Sequence, residues 1–275
     1  MKKVLKTCVH RLMVVVFLLI ALFPVYWMLN TSLKTESEIY RRAPTFWPET
    51  FTLKNFGAML MDALFINSLK NSMIVALVVV AFSITIAFPA AYSIARLEFK
   101  GRRFYSKAVL FGYLLPASLM YLPLYIVVSR LGLTNTLGGL MLIYPTLTLP
   151  YCCWVLIPHM RALPREVEEA AVIDGCGRLG ILWRIVFPLS LNGIISTAIF
   201  AFTMSWGEYL YALVNVTSKS TKTFPLVVSD LIFGDVFPWG EIMAAGILSC
   251  IPVLVLYTIS NTLLNPDRGS GAVKG

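Results

Sequence analysis

The sequence predicts an all-α membrane protein with six transmembrane helices, and three observations carry that expectation. First, 58% of its 275 residues are hydrophobic and only 13% are charged, against about 25% charged in a soluble domain; the mean hydropathy is +0.77. Such a chain has too little polar surface to cover itself in water, so its solvent is a membrane. Second, stretches nearly free of Asp, Glu, Lys and Arg lie near 12–30, 71–95, 108–129, 137–158, 186–210 and 242–263. Third, the basic residues fall in short loops between those stretches. The net charge of +9 therefore reads as membrane topology and not as a nucleic-acid surface.

The first stretch follows Lys2, Lys3, Lys6 and Arg11. It resembles a signal peptide, but Leu12 to Leu29 is long enough to span and no A-x-A site follows, so it is expected to be a retained span. Pro24, Pro89, Pro116, Pro123 and Pro252 fall within the stretches; membrane helices tolerate them because neighbours satisfy the freed backbone groups. Arg96, Lys100, Arg102, Arg103 and Lys107 follow the second stretch, and Arg161, Arg165, Arg178 and Arg184 follow the fourth. With the N-terminus, these basic segments alternate along the chain. All fall on one side, which the positive-inside rule makes cytoplasmic, with both termini there. The expected organisation is an N-terminal span and extracytoplasmic loop over 1–66, a core over 67–263 and a cytoplasmic tail over 264–275. A second outward loop, about 214–239, mixes Ser, Thr and Lys with Phe and Trp, which suits a partner or an interfacial aromatic belt.

The tightest acidic cluster, Glu166, Glu168 and Glu169, sits in the loop between the fourth and fifth stretches. Pro164 suits a helix start and the acids suit its first turns, while Gly175 and Gly177 suit its end. A helix within about 164–177 is too short to cross a bilayer. Its expected contact face is Val167, Ala170, Ala171 and Asp174. Lipid-resting amphipathic helices are basic on their polar side, so this acidic one points to a protein partner.

Here the chain resembles a known family. Glu169-Ala170-Ala171, three residues, Gly175, nine residues, Ile185, one residue, Phe187-Pro188 matches the EAA motif of ABC-importer permeases, with Phe187 where Leu is usual. "FINSLKNS" (65–72), "AAYSIARLEFKG" (90–101), "SWGEYLYAL" (205–213) and the terminal "GAVKG" resemble the maltose-type, carbohydrate-uptake (MalG-like) subfamily. The resemblance implies a type I ABC importer permease fold and a prokaryotic inner-membrane location. It also implies a coupling helix that docks on a cytoplasmic ATPase through Glu169, Ala170, Ala171, Asp174 and Gly175, with Glu168 beside them. The implied partners are a second permease, two ABC ATPases, an extracytoplasmic solute-binding protein and membrane lipid, with no nucleic acid. The second outward loop resembles one that reaches into the binding protein, and the tail one that contacts the ATPase dimer. Cys176 and Gly207 stand where the family often has Ala and Asn.

The chain has no G-x-x-x-x-G-K-[ST], no H-E-x-x-H, no G-x-S-x-G and no metal-ligand spacing. It is expected to be no enzyme and to hold no cofactor, with ATP and magnesium in partner subunits. The five cysteines are scattered and form no C-x-x-C. Glu208 interrupts an apolar run near the outer end of the fifth stretch, which makes it the outer-gate candidate. The expected function is permease for a sugar; the alternatives are a glycerol-phosphate-type importer and an ion-driven secondary transporter.

Overall fold

The structure, a computed structural model, describes residues 2–264. The regular elements among them are helical. Among the described residues four helices are long and apolar enough to cross a membrane. They are α1 (Lys2–Ser32), whose apolar part is Val9–Ser32, α4 (Ala63–Arg96), the continuous Leu137–Ala162 stretch that comprises α7 (Leu137–Ile143) and α8 (Pro145–Ala162), and α15 (Trp239–Leu264).

The third and fifth apolar stretches are bent pairs. In the third, α5 (Arg102–Leu114) and α6 (Ala117–Arg130) meet at 98°. Leu115 precedes Pro116 and is extended at φ −65°, ψ 128°, the region a proline imposes on its predecessor. In the fifth, the segment Arg178–Leu189 meets α12 (Leu191–Trp206) at 77°. That segment runs through α10 (Arg178–Ile181), a π turn over Leu182–Val186 and α11 (Phe187–Leu189). Pro188 explains the π turn, because it donates no N–H and its ring crowds the carbonyl four residues back, so the preceding turn widens.

Two compact units divide the chain. One takes the chain up to Ile66 together with Val227–Pro252. It includes α1, α2 (Glu36–Ile39), α3 (Lys54–Met61) and the start of α15. Here α1 meets α15 so closely that a Cβ on Gly246 would lie 2.6 Å from Met28 Cε. Glu38 is buried and takes hydrogen bonds from Thr45 Oγ1 (2.5 Å) and from the N–H groups of Glu49 (3.1 Å) and Thr50 (3.5 Å). Burial opposes its charge, but these donors and Lys34 outweigh it and hold the carboxyl below its ordinary value.

The other unit takes Asn67–Leu226 and the chain from Val253. Its main core joins α4 to α8, α10 and the π turn through Phe88, Ala91, Tyr92, Leu156, Met160 and Leu182. A Cβ on Gly193 of α12 would lie 2.7 Å from the His159 ring of α8; the glycine lets those helices touch. Ser83 and Thr148 share a 2.7 Å hydrogen bond inside the apolar interior.

Candidate functional site

The short loop helix is α9, Arg165–Ile173, inside the expected window of about 164–177. Pro164 occupies the extended position before it, at φ −60°, ψ 131°, and is not its first helical residue. Glu166 and Glu168 lie in the first turn, where the helix dipole favours them. At the other end Gly175 adopts φ +83°. Its N–H donates to Val172 O (3.0 Å) and Cys176 N–H donates to Ala171 O (2.9 Å), the two bonds of a Schellman stop. Ala171 and Cys176 pack in the same apolar cluster, which completes the motif. Gly177 starts the next helix, as the N-cap of α10.

One side of α9 is fastened to the last turns of α4. Glu168 Oε2 accepts from Tyr92 O–H at 2.9 Å. Glu168 Oε1 lies 2.8 Å from Arg96 Nε, with side chains only 16% and 6% exposed. Arg96 also donates from Nη2 to Leu163 O at 2.6 Å, just ahead of α9. Arg102 closes the end of α4, donating to Ile94 O (2.7 Å) and Ala95 O (2.8 Å). The result is a largely buried ion pair whose partners also hold hydrogen bonds, the arrangement that makes such a pair tolerable away from water.

The opposite side of α9 is bare. Glu166, Glu169, Ala170 and Ile173 recur at i, i+3, i+4, i+7 and are all exposed, Ile173 at 86%. The sequence placed the contact face at Val167, Ala170, Ala171 and Asp174. The structure turns it: Ala171 is buried in the core, while Val167, Ala170, Asp174 and Gly175 stay exposed. Glu168 points inward with Ala171, so of the three glutamates only Glu166 and Glu169 lie on the open face. Small side chains at 170 and 171 therefore face different surroundings, one toward the core and one toward whatever covers the helix.

A second polar cluster sits at the start of α4. Asn67 Nδ2 donates to Ser220 O (2.9 Å), and Asn71 Nδ2 donates to Ser220 O (2.8 Å) and Lys222 O (3.0 Å). Phe224 N–H, at the start of α14 (Phe224–Asp230), donates to Ser72 Oγ at 2.9 Å. Asn135, at φ +60°, accepts on Oδ1 from the N–H groups of Thr217 (3.0 Å) and Ser218 (2.8 Å) and donates from Nδ2 to Ser218 Oγ (2.6 Å). These amides organise residues 215–224. Glu208 lies nearby in the chain. Its carboxylate accepts from the N–H groups of Tyr211 (2.8 Å) and Ala212 (3.1 Å), so it caps α13 (Leu210–Asn215).

Sequence reasoning missed Tyr92, Arg96, Asn71 and Asn135 as site residues. Two signals were present. "FINSLKNS" carries Asn67 and Asn71 at i, i+4, and "AAYSIARLEFKG" carries Tyr92 and Arg96 at the same spacing. Each pair lies on one helix face. No group of three or more His, Cys, Asp or Glu suited to a metal occurs among the described residues.

The chain belongs to the family of binding-protein-dependent transport system inner membrane components, whose model matches residues 4–269. It is similar to the inner membrane ABC transporter permease protein YcjP of Escherichia coli, 32% identical over 94% of this chain and 93% of that one. It is 34% identical to the diacetylchitobiose uptake system permease protein DasC of Streptomyces coelicolor, over 92% of each. It is 32% identical to the trehalose/maltose transport system permease protein MalG of Thermococcus litoralis, over 100% of this chain and 99% of that one. Its fold matches a chain of a bacterial ABC transporter involved in importing the acidic polysaccharide alginate, with TM-score 0.80 over 94% and 96% of the two chains at 20% identity. A bacterial alginate transporter in complex with its alginate pentasaccharide-bound periplasmic protein gives TM-score 0.70 over 98% and 96% at 15% identity. The protein is thus a multi-pass inner-membrane permease with an ABC-importer permease fold, a transport component and not an enzyme.

Proposed function

We propose that this chain is one of two permeases of an ATP-driven sugar importer, moved by two cytoplasmic ATPase subunits and supplied by an extracytoplasmic solute-binding protein. The observation that carries the reading is the two-sided character of α9. Glu168 is clamped to α4, while Glu166, Glu169, Ala170 and Ile173 stand free to meet a partner. A push on the free face passes into α4 through a charged joint, which is what a coupling helix requires. The positive-inside distribution of Lys and Arg supports a cytoplasmic α9 and cytoplasmic termini. The names of the sugar-uptake relatives support the solute class, and the periplasmic protein bound to the alginate transporter supports the binding-protein partner.

In this reading the chain holds no cofactor, and ATP with magnesium sits in the ATPase subunits. Glu169, Ala170, Asp174 and Gly175 line the docking side, and Glu168 and Ala171 hold the helix from behind. Glu208 keeps α13 in place at the outward end of the path. The "GAVKG" tail, expected to reach the ATPase dimer, lies outside the described residues.

A mild-detergent pull-down of the tagged chain from its native membrane tests the proposal. Recovery of a P-loop ATPase and a second permease, with uptake that requires ATP, is the expected result. Recovery of the chain alone with gradient-driven uptake would overturn it.

A further inference from the structure

The irregular segment 41–53, between α2 and α3, folds back against the outer end of α1. Tyr26 O–H donates to the Phe46 carbonyl, and Lys34 Nζ donates to that of Thr45. Asn30 Nδ2 donates to the same Thr45 carbonyl at 3.2 Å. The Phe46 ring meets Trp27 edge-on at 5.8 Å, and Trp27 stacks on Phe23 at 5.8 Å. These contacts fix the level of the loop. The apolar run of α1 starts after Arg11 and gives way to Asn30. From Arg11, about 20 helical residues rise about 30 Å, the thickness of the hydrocarbon core. Thr45 and Phe46 lie beside residues 26–30, so they sit at the outer edge of that core.

The loop is built to sit there. Irregular backbone that touches lipid needs its polar groups bonded, and the carbonyls of Thr45 and Phe46 are both taken by α1 side chains. Behind them Glu38 accepts from Thr45 Oγ1 and Glu49 N–H, and Arg41 pairs with Glu49 at 2.6 Å. Phe46 and Trp47 are what these tethers leave outside, 65% and 76% exposed. Leu22, Phe23 and Val25 of α1 are exposed as well, so the two rings extend an apolar surface that already stands at membrane depth. An indole suits the level where its ring is in lipid and its N–H is wet. Arg42 is exposed and makes no ion pair among the described residues; a long cation beside interfacial rings suits a lipid phosphate. A soluble partner could cover Phe46 only by reaching below Asn30, into the bilayer edge.

We infer that Phe46 and Trp47 are an anchor seated in the outer leaflet, with the rings beside the ester ends of phospholipid chains and Arg42 on a lipid phosphate. The occupant is a phospholipid. The anchor sets the height at which α1 leaves the bilayer, and it is independent of the solute carried and of the ATPase contact at α9.

The test is fluorescence of the importer, purified with its co-recovered subunits and without the binding protein, in vesicles of phosphatidylethanolamine and phosphatidylglycerol. The Trp47 signal is the difference between the parent chain and Trp47→Phe, a change that keeps the site apolar. Phospholipid brominated near the ester end of its chains should quench that difference by at least about half, while aqueous acrylamide quenches it little. Quenching by acrylamide and not by brominated lipid would put the loop in water and overturn the anchor. Quenching by neither would mean that a protein, such as the second permease, covers the rings, and would overturn it as well. Arg42→Glu should lower the lipid quenching at least about twofold; unchanged quenching would overturn the phosphate contact.

Discussion

The two ends of α4 are fastened by different chemistry. At the Asn67 end the bonds are neutral: side-chain amides of Asn67 and Asn71 meet carbonyls of Ser220 and Lys222. At the Arg96 end the joint is an ion pair to Glu168 with a phenol beside it. Asn71 and Arg96 are separated by about 38 Å of helix. Neutral amide bonds are each worth about 1 kcal/mol net and strand no charge when broken. A largely buried ion pair is conditional: intact it is tolerable, but broken it strands a charge. One end of the rod thus holds a loop in a fixed shape, while the other holds α9 by a joint that resists partial opening. A lever driven from outside needs that kind of joint, because slack there would lose the stroke.

The heaviest break in this comparison is at the α9 end. Gly175→Trp puts a large side chain at φ +83°, where an L-residue costs about 1–2 kcal/mol, and fills the open side with bulk. Uptake should be lost while the amount of chain in the membrane fraction is unchanged; normal uptake by Gly175→Trp cells would show that nothing docks there. Next comes Glu168→Leu, which leaves Arg96 buried and unpaired at about 3–5 kcal/mol. Uptake should fall by at least about tenfold, and the exchange of Arg96→Glu with Glu168→Arg should recover part of it. A single mutant that transports normally, or a swap no better than the single, would mean that the pair does not carry the motion.

The Asn67 end should yield more gently. Asn71→Ala removes two hydrogen bonds, about 1–2 kcal/mol in all. Amide exchange in residues 216–224 should quicken, with transport reduced only a few-fold; a loss as deep as that of Glu168→Leu would erase the contrast between the ends. The smallest effect is a control outside α4. Glu38 is held below its ordinary carboxyl value of 4.5, so the stability it contributes is present above pH 4.5. That stability is lost as the pH falls through the depressed folded value. Protection of the backbone N–H groups of Glu49 and Thr50 should drop in that acid window and stay flat above it. A drop at neutral pH would assign the loop's order to other contacts.

Much of this architecture was legible in the residues. Hydropathy located all six apolar stretches, and Gly175 with the acids of the first turn located α9 and its end. The bends were not legible. A hydropathy window measures how apolar a stretch is and carries no direction, so Pro116 read as one more tolerated proline and not as a 98° corner. The rotation of α9 was missed for a related reason. Ala170 and Ala171 are equally small, and only the position of Arg96 and Tyr92, more than 70 residues earlier in the chain, decides which of them is buried. Glu168 read as a docking acid because its partner lies across the fold. Asn135 gave no local signal at all; its role depends on residues 217–221 coming to it.

The central claim is that α9 is gripped from behind by Glu168 and Ala171 and presents Glu169, Ala170 and Ile173 to an ATPase. Cysteine cross-linking in the assembled importer tests it most directly. Ile173→Cys should cross-link in high yield to a cysteine placed in the surface groove of the co-purified ATPase, and Ala171→Cys should not. Cross-linking from position 171 and none from 173 would contradict the assignment of the two faces.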